Sequence, residues 1–293
     1  MLAAMRHPQK ESRLERIPLI GNWLARRLGG VPVVTVLRFS GVIGQVGVGR
    51  RGIALDDMAD AIERAFKLSR LTAVAISVNS PGGSPVQSAL IASRIRALAE
   101  EHEVPVYAFC EDVAASGGYW LACAADHVYA EGASVVGSIG VVSAGFGFPE
   151  LLAKVGVERR VHTAGESKAM LDPFRPENPK DIQRLKAIQE DVHDQFKSWI
   201  RERRGARLNA AESKLFDGTI WTGRQAAELG LVDGVGDLRA VLRDKFGERV
   251  KLRPIRVPRG WLQRKFGVAR GFDLAADLVA ALEERLIWSR FGL

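Results

Sequence analysis

Between Val31 and Val142 the chain alternates two hydrophobic rhythms. VPVVTVLRF (31–39) is β-branched and apolar, with its proline near the start, as a buried strand requires. In ALDDMADAIERAFKLSR (54–70), Leu55, Met58, Ala59, Ile62 and Phe66 recur at helical spacing. LTAVAISV (71–78) reads as a second buried strand, SPVQSALIASRIRALAEE (84–101) as a helix and VPVYAFC (104–110) as a strand. AASGGYWLACAA (114–125) opens a further helix, and HVYA (127–130) and SVVGSIGVV (134–142) complete the run as strands. Strand and helix in alternation predict an α/β fold: a parallel sheet, helices packed on it and right-handed crossovers.

Beyond this region the pattern changes. A long helix is predicted from about Pro179 to Arg204, followed by LFDGTIWTGRQAAELGLVDGVGDL (215–238), a turn-rich connector around a short helix. Leu274, Leu278, Leu282 and Leu286 repeat every four residues, with Asp277, Glu283 and Glu284 elsewhere on the wheel, which predicts an amphipathic helix. At the other end, Ile17, Leu19, Ile20, Trp23, Leu24 and Leu28 are interleaved with arginines and stop at Gly29–Gly30. That stretch reads as a short amphipathic helix that packs on the body or lies against a membrane surface. The organisation expected is an arm over 1–30, a main domain over 31–256 and a helical tail over 257–293.

Composition narrows the picture only a little. Of 293 residues, 47% are hydrophobic and 26% charged, as in an ordinary globular protein. The formal charge of +8 is concentrated at the two ends, and no nucleic-acid motif or aromatic platform accompanies it, so it reads as solvated surface with no nucleic-acid partner. Cys110 and Cys123 stand in apolar surroundings and read as buried packing residues. The longest uncharged stretch, 132–149, is rich in Gly, Ser and Val and reads as a buried strand with turns. Neither a signal-peptide core nor a membrane span is expected. A cytoplasmic location follows, with peripheral contact to the inner membrane through residues 1–30.

Two turns carry the candidate chemistry. In NSPGGS (79–84) a strand gives way to a helix through Gly82 and Gly83, which let the backbone turn sharply and aim N–H groups at a developing negative charge. In AASGG (114–118), Ser116 follows a strand and precedes a helix, with small residues on both sides. Ser116 reads either as an N-cap or as a nucleophile; a cap alone does not need the space beside the hydroxyl. In a parallel sheet both turns lie at the carboxyl edge of the strands, where sites form. A nucleophile needs a base. His7, His102, His127 and His193 stand in no recognisable base motif, and His162, in RRVHTAGESK (159–168), remains a candidate. Lys168, after an expected strand and before Met170, Leu171 and Phe174, is the other candidate, although a surface lysine is the commoner role for this residue.

The motifs NSPGG, AASGGYW, VGSIGVV, GESKAMLDPF and WTGRQAAELGLVD occur here in the order seen in bacterial signal peptide peptidase A and its relatives. Over about residues 31–250 the chain resembles that family of serine proteases, which have a Clp-protease/crotonase-like fold with repeated β-β-α units and use a Ser–Lys dyad. The resemblance implies Ser116 as nucleophile, Lys168 as general base, Gly83 and Gly117 as oxyanion-hole donors and Ser138 as the residue that orients the lysine. It implies no metal and no cofactor, apolar extended peptides as substrates, and a homo-oligomeric ring in which Lys168 comes from a neighbouring subunit. Members usually carry an N-terminal membrane anchor, and residues 1–30 show none. The competing readings are a Clp-like Ser–His–Asp peptidase, a crotonase-like acyl-CoA enzyme and a catalytically silent scaffold. The first is disfavoured because SVVGSIGVV holds no histidine.

Overall fold

The computed structural model of the protein describes residues 30–46, 50–256 and 274–293. Apart from Gly30, the arm expected over 1–30 lies outside these residues, as does 257–273 of the expected tail.

The first half runs β1 (Val33–Ser40), a short antiparallel pair β2 (Gln45–Val46) and β3 (Arg50–Arg51), α1 (Leu55–Phe66), β4 (Leu71–Ser80), α2 (Pro85–Glu101), β5 (Val106–Ala115), α3 (Gly117–Ala122), β6 (His127–Ala130) and β7 (Val135–Gly137). Then follow α4 (Pro149–Lys154), α5 (Pro179–Arg204), α6 (Glu212–Leu215), β8 (Ile220–Thr222), α7 (Gly223–Glu228), β9 (Gly234–Val235), α8 (Leu238–Phe246), β10 (Lys251–Pro254) and α9 (Leu274–Ser289). The main sheet has eight strands in the order β10-β1-β4-β5-β6-β9, with β7 paired to β5 and β8 to β7. Every pairing in it is parallel except β7 with β8. The expected α/β class, a mostly parallel sheet with flanking helices, is what the chain forms.

The sheet is covered on both faces, which is why its central strands read as near-continuous apolar runs. On one face Met58, Ile62, Ile91, Ile95, Leu121, Phe196 and Ile200 pack into a single core with Leu37, Ile76 and Ala108 of the strands. On the other, a smaller cluster of Val34, Ala73, Ala75, Tyr107 and Phe109 is closed by Leu242 of α8. Trp120 of α3 stacks on Phe196 of α5 at 4.7 Å, and Trp199 Nε1 donates to Trp120 O at 3.0 Å, so the long helix is anchored on the short one that follows Ser116.

One irregularity aims the site. Val78 of β4 pairs with Cys110 of β5, but Ser80 pairs with Ala114, so Glu111 and Asp112 are extra residues that bulge from β5. Side chains replace the lost ladder. Asn79 Oδ1 accepts from Val113 N–H at 3.2 Å and Asn79 Nδ2 donates to Asp112 at 2.6 Å. Glu111 is held by Arg38 at 2.6 Å and by the Ser77 hydroxyl. The bulge redirects the strand: β5 pairs with β6 before it and with β7 after it, and the last pairs carry the chain out to Ser116.

Three sequence expectations are corrected. In 134–142 only Val135–Gly137 is strand, because Gly137 at φ 109° and Ser138 at φ 51° turn the chain away from the sheet. Residues 142–148 are exposed, so the uncharged stretch 132–149 is buried only in its first half. No strand precedes Lys168 either: α4 ends at Lys154 and residues 157–163 have neither helix nor strand.

Candidate active site

Ser116 stands where β5 ends and α3 begins. Its backbone adopts φ 51°, ψ −122°, a conformation that costs a non-glycine residue about 1–3 kcal/mol and persists only when the surroundings impose it. Two bonds impose it here: Ser116 N–H donates to Gly137 O at 2.8 Å, and Trp120 N–H donates to Ser116 O at 3.0 Å. Although Ser116 occupies the N-cap position, its side chain makes no capping hydrogen bond. The capping role therefore does not account for the serine. A strained strand-to-helix turn that lifts a serine hydroxyl clear of the backbone is how α/β enzymes present a nucleophile.

Against this turn lies the loop Pro81–Ser84. A methyl group placed on Gly82 would stand 2.8 Å from Ser116 Cβ and 2.9 Å from Gly117 N, so the two turns are in contact and only glycine fits. Gly82 is fixed on both sides: its N–H donates to Ser80 Oγ at 3.2 Å and its carbonyl accepts from Ile43 N–H at 2.8 Å. Gly83 bridges to Ile43, and Ser84 N–H donates to Ile43 O at 2.9 Å. Among the described residues, neither the Gly83 N–H nor the Gly117 N–H donates to a protein acceptor. Two free donors beside a helix N-terminus, next to a serine hydroxyl, suit an oxyanion.

A bed of buried hydroxyls supports this loop, and sequence reasoning missed it. Ser84 caps α2, accepting from Gln87 N–H at 3.4 Å. Ser88, one turn on, donates to Ser84 O at 2.9 Å and fills the space where a side chain on Gly117 would have to stand. Ser80 and Ser88 are fully buried. The signal was a hydroxyl four residues after a capping serine, on the helix face turned to the core.

The remaining predicted residues divide. Ser138 is brought to the site by β7, since its neighbour Gly137 is bonded to Ser116, and it too has positive φ, at 51°. Lys168 makes no bond to this turn within the chain. It lies in an exposed loop, and no hydrogen bond joins it to Ser116 or Ser138. His162 is exposed as well. His127 stacks on Tyr107 at 5.0 Å, and burial holds it below the ordinary histidine range, so the neutral ring packs in the sheet. His102 caps the end of α2. His193 points inward, with Nε2 3.1 Å from Ile139 O. Both cysteines are buried, and burial pushes the Cys123 thiol up to about 11 and Cys110 higher still, so neither is a nucleophile at neutral pH. Among the described residues no cluster of His, Cys, Asp and Glu is arranged to hold a metal ion.

A serine on a strained turn, faced by a glycine loop with free N–H groups, defines an acyl-transfer type of site on an α/β sheet. Comparison with known proteins gives the family. Residues 99–251 match the model of Peptidase family S49. The chain is 49% identical over 288 residues to the "Na(+)/H(+) antiporter NhaA" of Brucella abortus (strain 2308), covering 94% of this chain and 39% of that protein. It is 33% identical over 259 residues to "Putative protease slr0021" of Synechocystis sp., covering 86% of this chain and 90% of that one. It is 34% identical over 163 residues to "Putative signal peptide peptidase SppA" of Enterococcus faecium, covering 56% of this chain and 47% of that protein. The chain belongs to peptidase family S49. It spans 39% of the length of two Brucella relatives that it matches along nearly all of its own length.

Proposed function

We propose that this protein is a serine-type peptidase with Ser116 as nucleophile and Lys168 as general base. The observation that carries the reading is Ser116 itself, strained, uncapped and in contact with the Gly82–Gly83 loop. The neutral Lys168 amine takes the Ser116 hydroxyl proton as Oγ attacks the peptide carbonyl, forming the C–O bond. The oxyanion is received by the Gly83 and Gly117 N–H groups. Collapse breaks the C–N bond, and Lys168 returns the proton to the leaving amine. Water, deprotonated by the same lysine, then attacks the acyl-enzyme carbonyl; the C–Oγ bond breaks, and the lysine returns the proton to Ser116 Oγ. The chemistry calls for no metal or cofactor. The name of the Enterococcus relative suggests signal-peptide-like substrates, and we extend that to apolar extended peptides in general.

The lysine arrives from a neighbouring copy in a ring-shaped homo-oligomer. Two features support this. Lys168 is exposed and unbonded to the site within one chain, and the segment around it is unusually apolar for a solvated surface. Val142, Phe146, Leu151, Val155, Val157 and Leu171 are all exposed. Covering this segment with a second copy removes water from the amine, which is what a lysine base requires. Among the described residues no helix is long and apolar enough to cross a membrane.

The test is hydrolysis of a fluorogenic peptide panel between pH 6 and 10 by wild type, Ser116→Ala and Lys168→Ala. Loss of at least about 10³-fold in kcat in both variants is expected. Mixing the two inactive variants as preassembled and reassembled oligomers tests the neighbour arrangement, since mixed rings recover sites with both groups. If only Ser116→Ala is inactive, the base lies elsewhere and His162 is tested next. If wild type cleaves no peptide and turns over acyl-CoA, the crotonase-like reading replaces this one. A folded chain that does neither and resists fluorophosphonate is a scaffold.

A further inference from the structure

The chain just after β7 is held from several sides. Gly137 O accepts the Ser116 N–H at 2.8 Å, and Ser138 N–H donates to Thr219 O, in the turn before β8, at 2.9 Å. Gly140 N–H returns to Ser138 O at 3.0 Å and closes a three-residue turn around Ile139. Such a turn points the middle carbonyl outward, where a partner must be found for it. That partner is His193, whose Nε2 on α5 lies 3.1 Å from Ile139 O. Ile139 itself is fully buried, and His193 is half-buried.

We propose that His193 is a positioning residue for the reaction, holding the Ser138 turn in place through the Ile139 carbonyl. The inference rests on the Ser–Lys reading, in which Ser138 orients the base. Ser138 keeps φ 51° only while the peptide groups around it are fixed. Thr219 fixes the amide before it, and the Ile139 turn fixes the carbonyl after it. Without the histidine, Ile139 O is left without its donor, and the turn can relax toward an ordinary backbone conformation that moves the Ser138 hydroxyl. The helix supplying His193 is firmly seated: Phe196 and Ile200, on the same helix, are buried, and Trp199 is bonded to α3. The device thus links α5, α3 and β7 around one serine. His193 touches neither Ser116 nor, in this reading, the substrate, so it acts only through the turn.

The test uses the full chain and three substitutions. His193→Phe keeps the ring volume and removes the donor, His193→Ala removes both, and His193→Gln places an amide N–H near the original Nε2. Kinetics on a cleaved fluorogenic peptide are compared with thermal unfolding and with the rate at which a fluorophosphonate modifies Ser116. Expected is a fall in kcat of about tenfold or more in Phe and Ala with KM within about twofold, a matching fall in labelling rate, and recovery of most of both by Gln. Wild-type kcat and labelling in the Phe variant overturn the proposal. So does a Gln variant no better than Phe at equal folded fraction, which would show that the ring only packs. If Ser116→Ala or Lys168→Ala keeps activity, the underlying dyad reading falls instead. If both are inactive while His193→Phe is normal, only the positioning role falls.

Discussion

Gly82 shows how little space the site leaves. It has φ 104°, and a Cβ there would collide with Ser116 Cβ at 2.8 Å and with the Gly117 nitrogen at 2.9 Å. Neither obstacle is the far end of a flexible side chain, so backbone must give way. For Gly82→Ala we expect kcat to fall about 100-fold, as displacements of about 1 Å do, with a lower melting temperature; stopped assays and thermal unfolding check both. At this scale the sequence was informative about identity and silent about geometry. That the NSPGGS and AASGG turns lie at one edge was legible from two glycine turns in successive strand–helix units, and the Gly82–Ser116 contact shows them side by side. That Ser116 makes no cap bond was not, because capping and nucleophile serines occupy the same local pattern and differ only in where the hydroxyl points.

Elements are held in register by polar groups at their ends. Arg204, 2% exposed at the end of α5, donates to Gly230 O and to both oxygens of Asp233. Asp233 also accepts from Val128 N–H at the start of the sheet's β6. Burial alone would raise the Asp233 carboxyl, but the Arg204 bond and the Val128 N–H outweigh it and hold it below the usual carboxylate range. Because the folded value is depressed, the stabilisation is present above the unfolded carboxylate pKa, about 3.9, and is lost as pH falls through the folded value. Asp233→Asn leaves a buried guanidinium uncompensated, and a loss of about 3–5 kcal/mol is expected at pH 7. Urea unfolding at pH 7 and near pH 3 checks this, with the gap from wild type narrowing at the lower pH. The long helix itself, Pro179–Arg204, was legible in the sequence. The bulge at Glu111–Asp112 was not, because two polar residues inside an apolar strand do not reveal whether they interrupt pairing or merely face water.

For the whole molecule, the exposed segment between β7 and α5 is the feature that a single chain does not explain. Phe146 is 82% exposed and touches Phe148, which in turn touches Phe174 under the Arg159 guanidinium. Exposed apolar patches of this kind usually meet a partner. In the ring reading, Phe146→Asp leaves the unfolding of the individual chain within about 0.5 kcal/mol of wild type, since little is buried there. The same change is expected to shift the oligomer to smaller species and to lower activity in proportion, as read by light scattering coupled to gel filtration. An unchanged oligomer with full activity argues against this face as the subunit contact.

The sequence by itself determined the α/β class, the order of most strands and helices, the two glycine turns and the burial of both cysteines. All of these follow from periodicity, turn chemistry and apolar runs, which are properties of neighbouring residues. Only the tertiary structure decided that β5 bulges and changes partners, that the strand expected over 134–142 stops at Gly137, and that Lys168 lies in an exposed loop with no hydrogen bond to Ser116. It alone decided that His193 turns inward to a carbonyl beside Ser138. Each of those depends on what a distant segment offers, a hydrogen-bond partner, a second strand or a covering surface, and local pattern carries no record of it.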